Sequence, residues 1–229
     1  MFDGKFRHQV ERAVRPVGEQ LRKTKISPDH LTLIGLIVAC GAAVAIGMGA
    51  LRLGLLLVVL AALPDLLDGA LAKASNQSSQ RGAFFDSTVD RVTDAVLLGG
   101  VAWFLAYQRG PYASVLVFAV MAVSSLISYQ RAKAESLGLS AKGGLMERAE
   151  RIILLCVGLL FDALLFWVMV LMLVLVTMTA MQRFFKVWNQ AAVAPATADR
   201  VALRQSRRAS RRAKRDDRRL RVTRRRRVQ

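Results

Sequence analysis

Sulfur and imidazole are scarce in this sequence. Its two cysteines, Cys40 and Cys156, both fall in apolar runs, which favours inert packing over a disulfide or a thiolate metal site and leaves the redox compartment open. His8 and His30 lack any ligand spacing, so no imidazole chemistry is assigned. Acidic residues are also few: 16 Asp and Glu stand against 34 Lys and Arg, a formal net charge of +18. No cleavable signal peptide is expected, because the first apolar run begins only near residue 29, after a charged segment. Nothing in the pattern suggests a β-barrel or a long internal repeat. What is abundant is hydrocarbon, with 54% hydrophobic residues and a mean hydropathy of +0.34. The balance reads as an all-α integral membrane domain with basic extremities.

Residues 1–26 place Phe2, Phe6, Val10, Val14, Val17 and Leu21 at helical spacing opposite Lys5, Arg12, Arg15, Arg22 and Lys23. That pattern suits an amphipathic helix lying in the membrane interface. Residues 27–190 form the membrane domain, with six predicted transmembrane helices. Ser27 and Pro28 open a span over about 29–50, and further spans follow over about 53–72, 82–107 and 111–128. The last apolar run is too long for one crossing, so it is divided at Asp162 into about 145–161 and 163–185. Basic residues concentrate in the N-terminus, the loops after spans two and four and the tail. The positive-inside rule therefore puts both termini and the polar site on the cytoplasmic side of the cell membrane. Residues 191–229, rich in arginine, are expected to be a disordered tail attracted to anionic lipid. Nucleic-acid binding is not expected of it, since neither interleaved aromatics nor a recognisable module accompanies the charge.

Four carboxylates interrupt the apolar sequence: Asp65, Asp68, Asp86 and Asp90, in the pattern D-x-x-D-G-x-x-A-x9-G-x-x-x-D-x-x-x-D. An ionisable group at the bilayer centre costs about 2.5–3.5 kcal/mol, so four unpartnered ones would oppose insertion by roughly 10 kcal/mol. Asp65 and Asp68 are three positions apart and Asp86 and Asp90 four, so each pair shares one helix face. Two such pairs facing each other form an oxygen-rich cage for hard divalent cations such as Mg²⁺. Two ions in such a cage could clamp both oxygens of a phosphoryl displacement. Any one aspartate alone could instead pair with Lys73, Arg81 or Arg91, or cap a helix.

The segment resembles the signature of the CDP-alcohol phosphotransferases, D-x-x-D-G-x-x-A-R-x8-G-x-x-x-D-x-x-x-D. Its one departure is Lys73 where the pattern has arginine, which keeps the charge and loses the bidentate fork. The resemblance implies transfer of a phosphatidyl group from CDP-diacylglycerol to an alcohol with release of CMP, assisted by two Mg²⁺ or Mn²⁺ ions. It makes Asp65, Asp68, Asp86 and Asp90 metal ligands, with Asp90 also the base that takes the acceptor proton. Thr32, Gly69, Lys73 and Gly82 would contact the CDP-lipid.

A second set of segments is similar to those of the bacterial phosphatidylinositol phosphate synthases. These are Ser128 to Glu135, Gly143-Gly144 with Glu147 to Arg151, and Gln182-Arg183 with Val187-Trp188. The similarity implies inositol 1-phosphate as acceptor, its phosphate held by Arg131, Lys133, Arg151 and Arg183, in a homodimeric enzyme. The arginines also suit cytoplasmic helix ends, and a loop at Ser75 to Gln80 that is not glycine-rich and Ala149 depart from that family's usual sequence. Two alternatives stay open: a phosphatidylglycerol phosphate synthase using glycerol 3-phosphate, and a non-catalytic membrane anchor presenting its basic tail.

Overall fold

The computed structural model describes residues 28–75, 80–141 and 143–192, with side chains for residues 29–63, 80–141 and 143–192. The expected interfacial helix at 1–26 and the tail beyond residue 192 lie outside the described residues. Proline sets the first boundary. Pro28 opens α1, Pro28–Gly47, at the position where a helix has no use for a backbone N–H. A tight turn, in which the Ala50 N–H donates to Ala45 O at 2.8 Å, leads into α2, Leu51–Ser75, which runs on through Pro64. Next come α3, Gln80–Arg109, and α4, Pro111–Ser136, the latter again begun by proline. The last apolar run is broken after Leu160, giving α5, Arg148–Leu160, and α6, Asp162–Ala191. Phe161 is extended at the break, and Asp162 Oδ1 accepts the Ala163 N–H at 2.9 Å.

Among the described residues six helices fall at the places of the six expected spans. Three of them, Asp29–Gly47, Pro111–Ser136 and Asp162–Ala191, are long and apolar enough to cross a membrane on composition and length. The others depart for physical reasons. In α2 the purely apolar part is Leu51–Leu63, before the aspartates. α3 carries five charged residues in its first half, Arg81, Asp86, Asp90, Arg91 and Asp94. α5 has 13 residues, about 20 Å at 1.5 Å per residue, short of a ~30 Å hydrocarbon layer.

α1 packs on α2 and α3, α3 on α4, α4 on α6, α6 on α5, and α5 on α2. The core is a continuous apolar cluster including Ile46, Val101, Val117, Val120, Leu159, Met169, Met172 and Val176. Leucine, isoleucine, valine and aromatic side chains also cover the outer surface, among them Ile37, Leu56, Phe118, Trp167 and Val174. Helices apolar on both the inner and outer faces suit a lipid solvent. Tyr107 and Tyr112 stand exposed at the α3–α4 turn, and Arg109 lies 4.8 Å over the Phe166 ring. Amphipathic aromatics at one end of a bundle match a membrane–water boundary.

Small residues fix how closely α1 approaches α3. A Cβ added at Gly100 would lie 2.4 Å from the Ala43 carbonyl oxygen and 2.7 Å from its Cα, whereas one added at Gly99 would meet nothing within 4 Å. Backbone cannot yield as a side-chain tip does. Gly100→Ala is therefore expected to destabilise the bundle by about 1–3 kcal/mol. Its thermal midpoint in detergent should fall below that of the matched Gly99→Ala variant. Equal midpoints would contradict the close approach.

Candidate active site

α1 and α3 run parallel, with Ala43 against Gly100 and the Trp103 ring against Gly47. Thr32 and Val89 each lie eleven positions earlier on their helices, so Thr32 lies at the axial level of the α3 carboxylates. Thr32 is half-buried in the second turn of α1, and Gly82 is half-buried in the first turn of α3. Asp65, Asp68, Gly69 and Lys73 lie on the last turns of α2, and their side chains lie outside the described residues.

Asp86 and Asp90 are both half-buried, one turn apart on α3. Asp90 Oδ1 forms a 2.8 Å ion pair with Arg148 Nη1, from the first turn of α5, and Asp90 Oδ2 lies 4.0 Å from Arg91 Nη2. The next carboxylate on that helix, Asp94, was absent from the sequence reading. It receives three guanidinium groups: Arg151 Nη2 at 2.9 Å and Arg91 Nη1 at 3.6 Å from Oδ2, and Arg148 Nε at 3.4 Å from Oδ1. Arg91 also donates to the Ser128 hydroxyl on α4. α3 and α5 are thus cross-linked by charge around Asp90 and Asp94, and the Ser128 hydroxyl ties α4 to the same group. The signal that could have found Asp94 is its spacing, since Asp86, Asp90 and Asp94 recur every four residues and line one helix face.

Arg148 and Arg151 reach α3 because the loop before α5 is pinned to α6. The Thr179 hydroxyl accepts the Met146 N–H at 3.1 Å, and Gln190 forms two bonds with the Ser140 backbone, at 2.8 and 3.1 Å. Arg183, almost fully buried, donates to Gly143 O at 3.1 Å, to Ile127 O at 3.2 Å and to Glu147 Oε1 at 3.4 Å. Gly143 and Gly144 have φ of 91° and 152°, values that side chains disfavour. A Cβ on Gly144 would also lie 2.6 Å from Thr179 Cγ2. Three of the five N–H donors of Arg183 are therefore committed to protein oxygens.

Arg183 lies within electrostatic reach of Arg131 and Arg151, while its own hydrogen bonds run to Gly143, Ile127 and Glu147. Arg131 is half-exposed and paired with Glu135 at 3.1 Å. Lys133 is exposed in the last turn of α4. Asp86 and Asp90 offer hard carboxylate oxygens of the kind Mg²⁺ and Mn²⁺ prefer. Among the described residues no set of three metal-type ligands assembles, and the expected cage needs Asp65 and Asp68 for its other half.

A family model described as CDP-alcohol phosphatidyltransferase matches residues 25–188. Archaetidylinositol phosphate synthase of Methanothermobacter thermautotrophicus is 33% identical over 81% of this chain and 93% of its own length. Phosphatidylinositol phosphate synthase of Mycobacteroides abscessus is 35% identical over 68% of this chain and 72% of its own. Among solved structures, Mycobacterium tuberculosis phosphatidylinositol phosphate synthase with CDP-DAG bound aligns with a TM-score of 0.72 at 31% identity, covering 77% of this chain and 94% of that one. The same enzyme in complex with manganese and citrate aligns with a TM-score of 0.71 at 30% identity, covering 76% and 88%. The helix order, the aspartate pattern on α2 and α3 and these likenesses agree, and this chain belongs to the CDP-alcohol phosphatidyltransferase family.

Proposed function

We propose that this chain transfers the phosphatidyl group of CDP-diacylglycerol to inositol 1-phosphate, giving phosphatidylinositol phosphate and CMP. The observation that carries the acceptor is an excess of guanidinium beside Asp90. Arg91, Arg148 and Arg151 face two carboxylates, Asp90 and Asp94, whereas Arg131 and Arg183 are each paired with a glutamate, Glu135 and Glu147. Such a region is unfavourable until an anion enters, and arginine suits a phosphate because it presents fixed donors in a plane. The names of the relatives, which include phosphatidylinositol phosphate synthases, support the same choice.

In this reading the acceptor hydroxyl oxygen attacks the phosphorus of the phosphatidyl group. The P–O bond to CMP breaks, CMP leaves with the electron pair, and the hydroxyl proton passes to Asp90. Arg148 holds Asp90 Oδ1 at 2.8 Å and so orients the carboxylate to which we assign the proton. Asp65, Asp68, Asp86 and Asp90 would hold two divalent cations, Mg²⁺ or Mn²⁺, which supply neutralisation of the pyrophosphate charge. Thr32, Gly69, Lys73 and Gly82 would line the CDP-lipid side. Arg151 would bind the acceptor phosphate, with Arg131 and Lys133 at the exposed entrance. Arg183 would add charge from beneath while holding the loop that carries α5.

The same reading makes residues 27–190 a six-crossing membrane domain, with 1–26 in the interface and 191–229 a basic tail. Both termini and the site would be cytoplasmic and the enzyme a homodimer. The spans are supported by the apolar outer surface, and the three shorter or more polar helices, α2, α3 and α5, would complete their crossings against neighbours.

Two results are expected. Asp90→Asn should retain CDP-diacylglycerol binding but lower kcat by about 10²- to 10⁴-fold, the usual weight of general acid–base catalysis. Loss of binding with unchanged turnover per bound substrate would instead make Asp90 chiefly a metal ligand. Arg151→Ala should raise KM for inositol 1-phosphate roughly ten- to a hundredfold, the worth of a lost charge-assisted contact. KM for CDP-diacylglycerol should stay close to wild type. Equal increases for both substrates would contradict the assignment of Arg151 to the acceptor.

A further inference from the structure

Asp94 lies outside the aspartate signature, yet among the described residues it is the carboxylate that meets the most guanidinium groups. Its side chain is 16% exposed and that of Arg151 is 9% exposed, so neither is solvated enough to stand alone. Arg91 and Arg148 both repel Arg151. Without an anion between them, three guanidiniums on facing helices would separate, and Arg151 has the rotamers to do so. We infer that Asp94 is a positioning residue that fixes Arg151, through the 2.9 Å Oδ2–Nη2 contact, in the orientation that receives the acceptor phosphate.

The inference rests on the reading of Arg151 as an acceptor-phosphate ligand and goes one residue further. It also has a sign that separates it from plain electrostatics. Removing a negative charge makes the region more positive, so charge alone predicts tighter binding of a phosphorylated acceptor when Asp94 is neutralised. Positioning predicts weaker binding. Arg148 adds a second strand to the argument, because its Nε approaches Asp94 Oδ1 while its Nη1 holds Asp90. One carboxylate thus holds both guanidiniums of the first turn of α5.

The test uses the full chain in detergent, with Asp94→Asn, Arg151→Ala and the double variant. KM is measured for inositol 1-phosphate and CDP-diacylglycerol, and Mn²⁺ affinity by electron paramagnetic resonance. Asp94→Asn should raise the acceptor KM roughly tenfold, as expected when a buried charged donor loses its partner. CDP-diacylglycerol KM and Mn²⁺ affinity should hold. The double variant should show an acceptor KM no higher than Arg151→Ala, because Asp94 acts through Arg151. A lowered or unchanged acceptor KM in Asp94→Asn, or additive effects in the double variant, would overturn the inference alone. An unchanged acceptor KM in Arg151→Ala would overturn the acceptor reading and this inference together. Should Asp94→Asn fail to fold, Asp94→Glu keeps the charge but displaces it by one methylene. Its acceptor KM should then exceed that of wild type, and a wild-type value would overturn the inference.

Discussion

The attraction between the carboxylates of α3 and the guanidiniums at the start of α5 holds the polar end of this bundle together. Charges inside an apolar bundle are tolerated where they meet opposite charges at hydrogen-bonding distance. Here Asp90 and Asp94 face Arg148 and Arg151 at 2.8 and 2.9 Å, with Arg91 on the same helix closing the group. Pairing of this kind contributes little net stability once desolvation is counted. What it supplies is a fixed arrangement, because each guanidinium has few orientations that satisfy its neighbours.

That arrangement depends on packing elsewhere. Gly100 against the Ala43 backbone sets the distance and register of α3 relative to α1. The contacts of Thr179, Arg183 and Gln190 set the loop that aims α5. Arg183 illustrates the division of labour. It is a charged residue spent largely on carbonyl oxygens and Glu147, and it makes α5 start where Arg148 and Arg151 can reach Asp90 and Asp94. Asp90 and Asp94 of α3 and Arg148 and Arg151 of α5 thus come together through packing and hydrogen bonds made elsewhere in the bundle.

Much of this was legible in the sequence, for reasons that can be named. Pro28, Pro111 and Asp162 mark helix starts through chemistry that is local, and all three begin helices. The aspartate spacing identified the polar helix faces because helical periodicity is also local. The start of α5 was expected near residue 145 and lies at Arg148, because the positive φ of Gly143 and Gly144 prolongs the loop and the loop's tertiary contacts hold it there. The pairing of Arg151 with Asp94 could not be read from either helix alone. It arises from the approach of α3 and α5 across 57 residues of chain. The same holds for Arg183, whose carbonyl partners at Ile127 and Gly143 belong to other segments.

The central claim is that the guanidinium excess beside Asp90 selects an acceptor that brings its own phosphate. The most direct measurement offers purified protein radiolabelled CDP-diacylglycerol with Mg²⁺ and, separately, inositol 1-phosphate, free inositol or glycerol 3-phosphate, and identifies the lipid formed. The account predicts phosphatidylinositol phosphate from inositol 1-phosphate and far slower turnover with free inositol. Equal use of inositol and its phosphate would contradict the role given to the arginines, and a lipid product from glycerol 3-phosphate alone would contradict the acceptor.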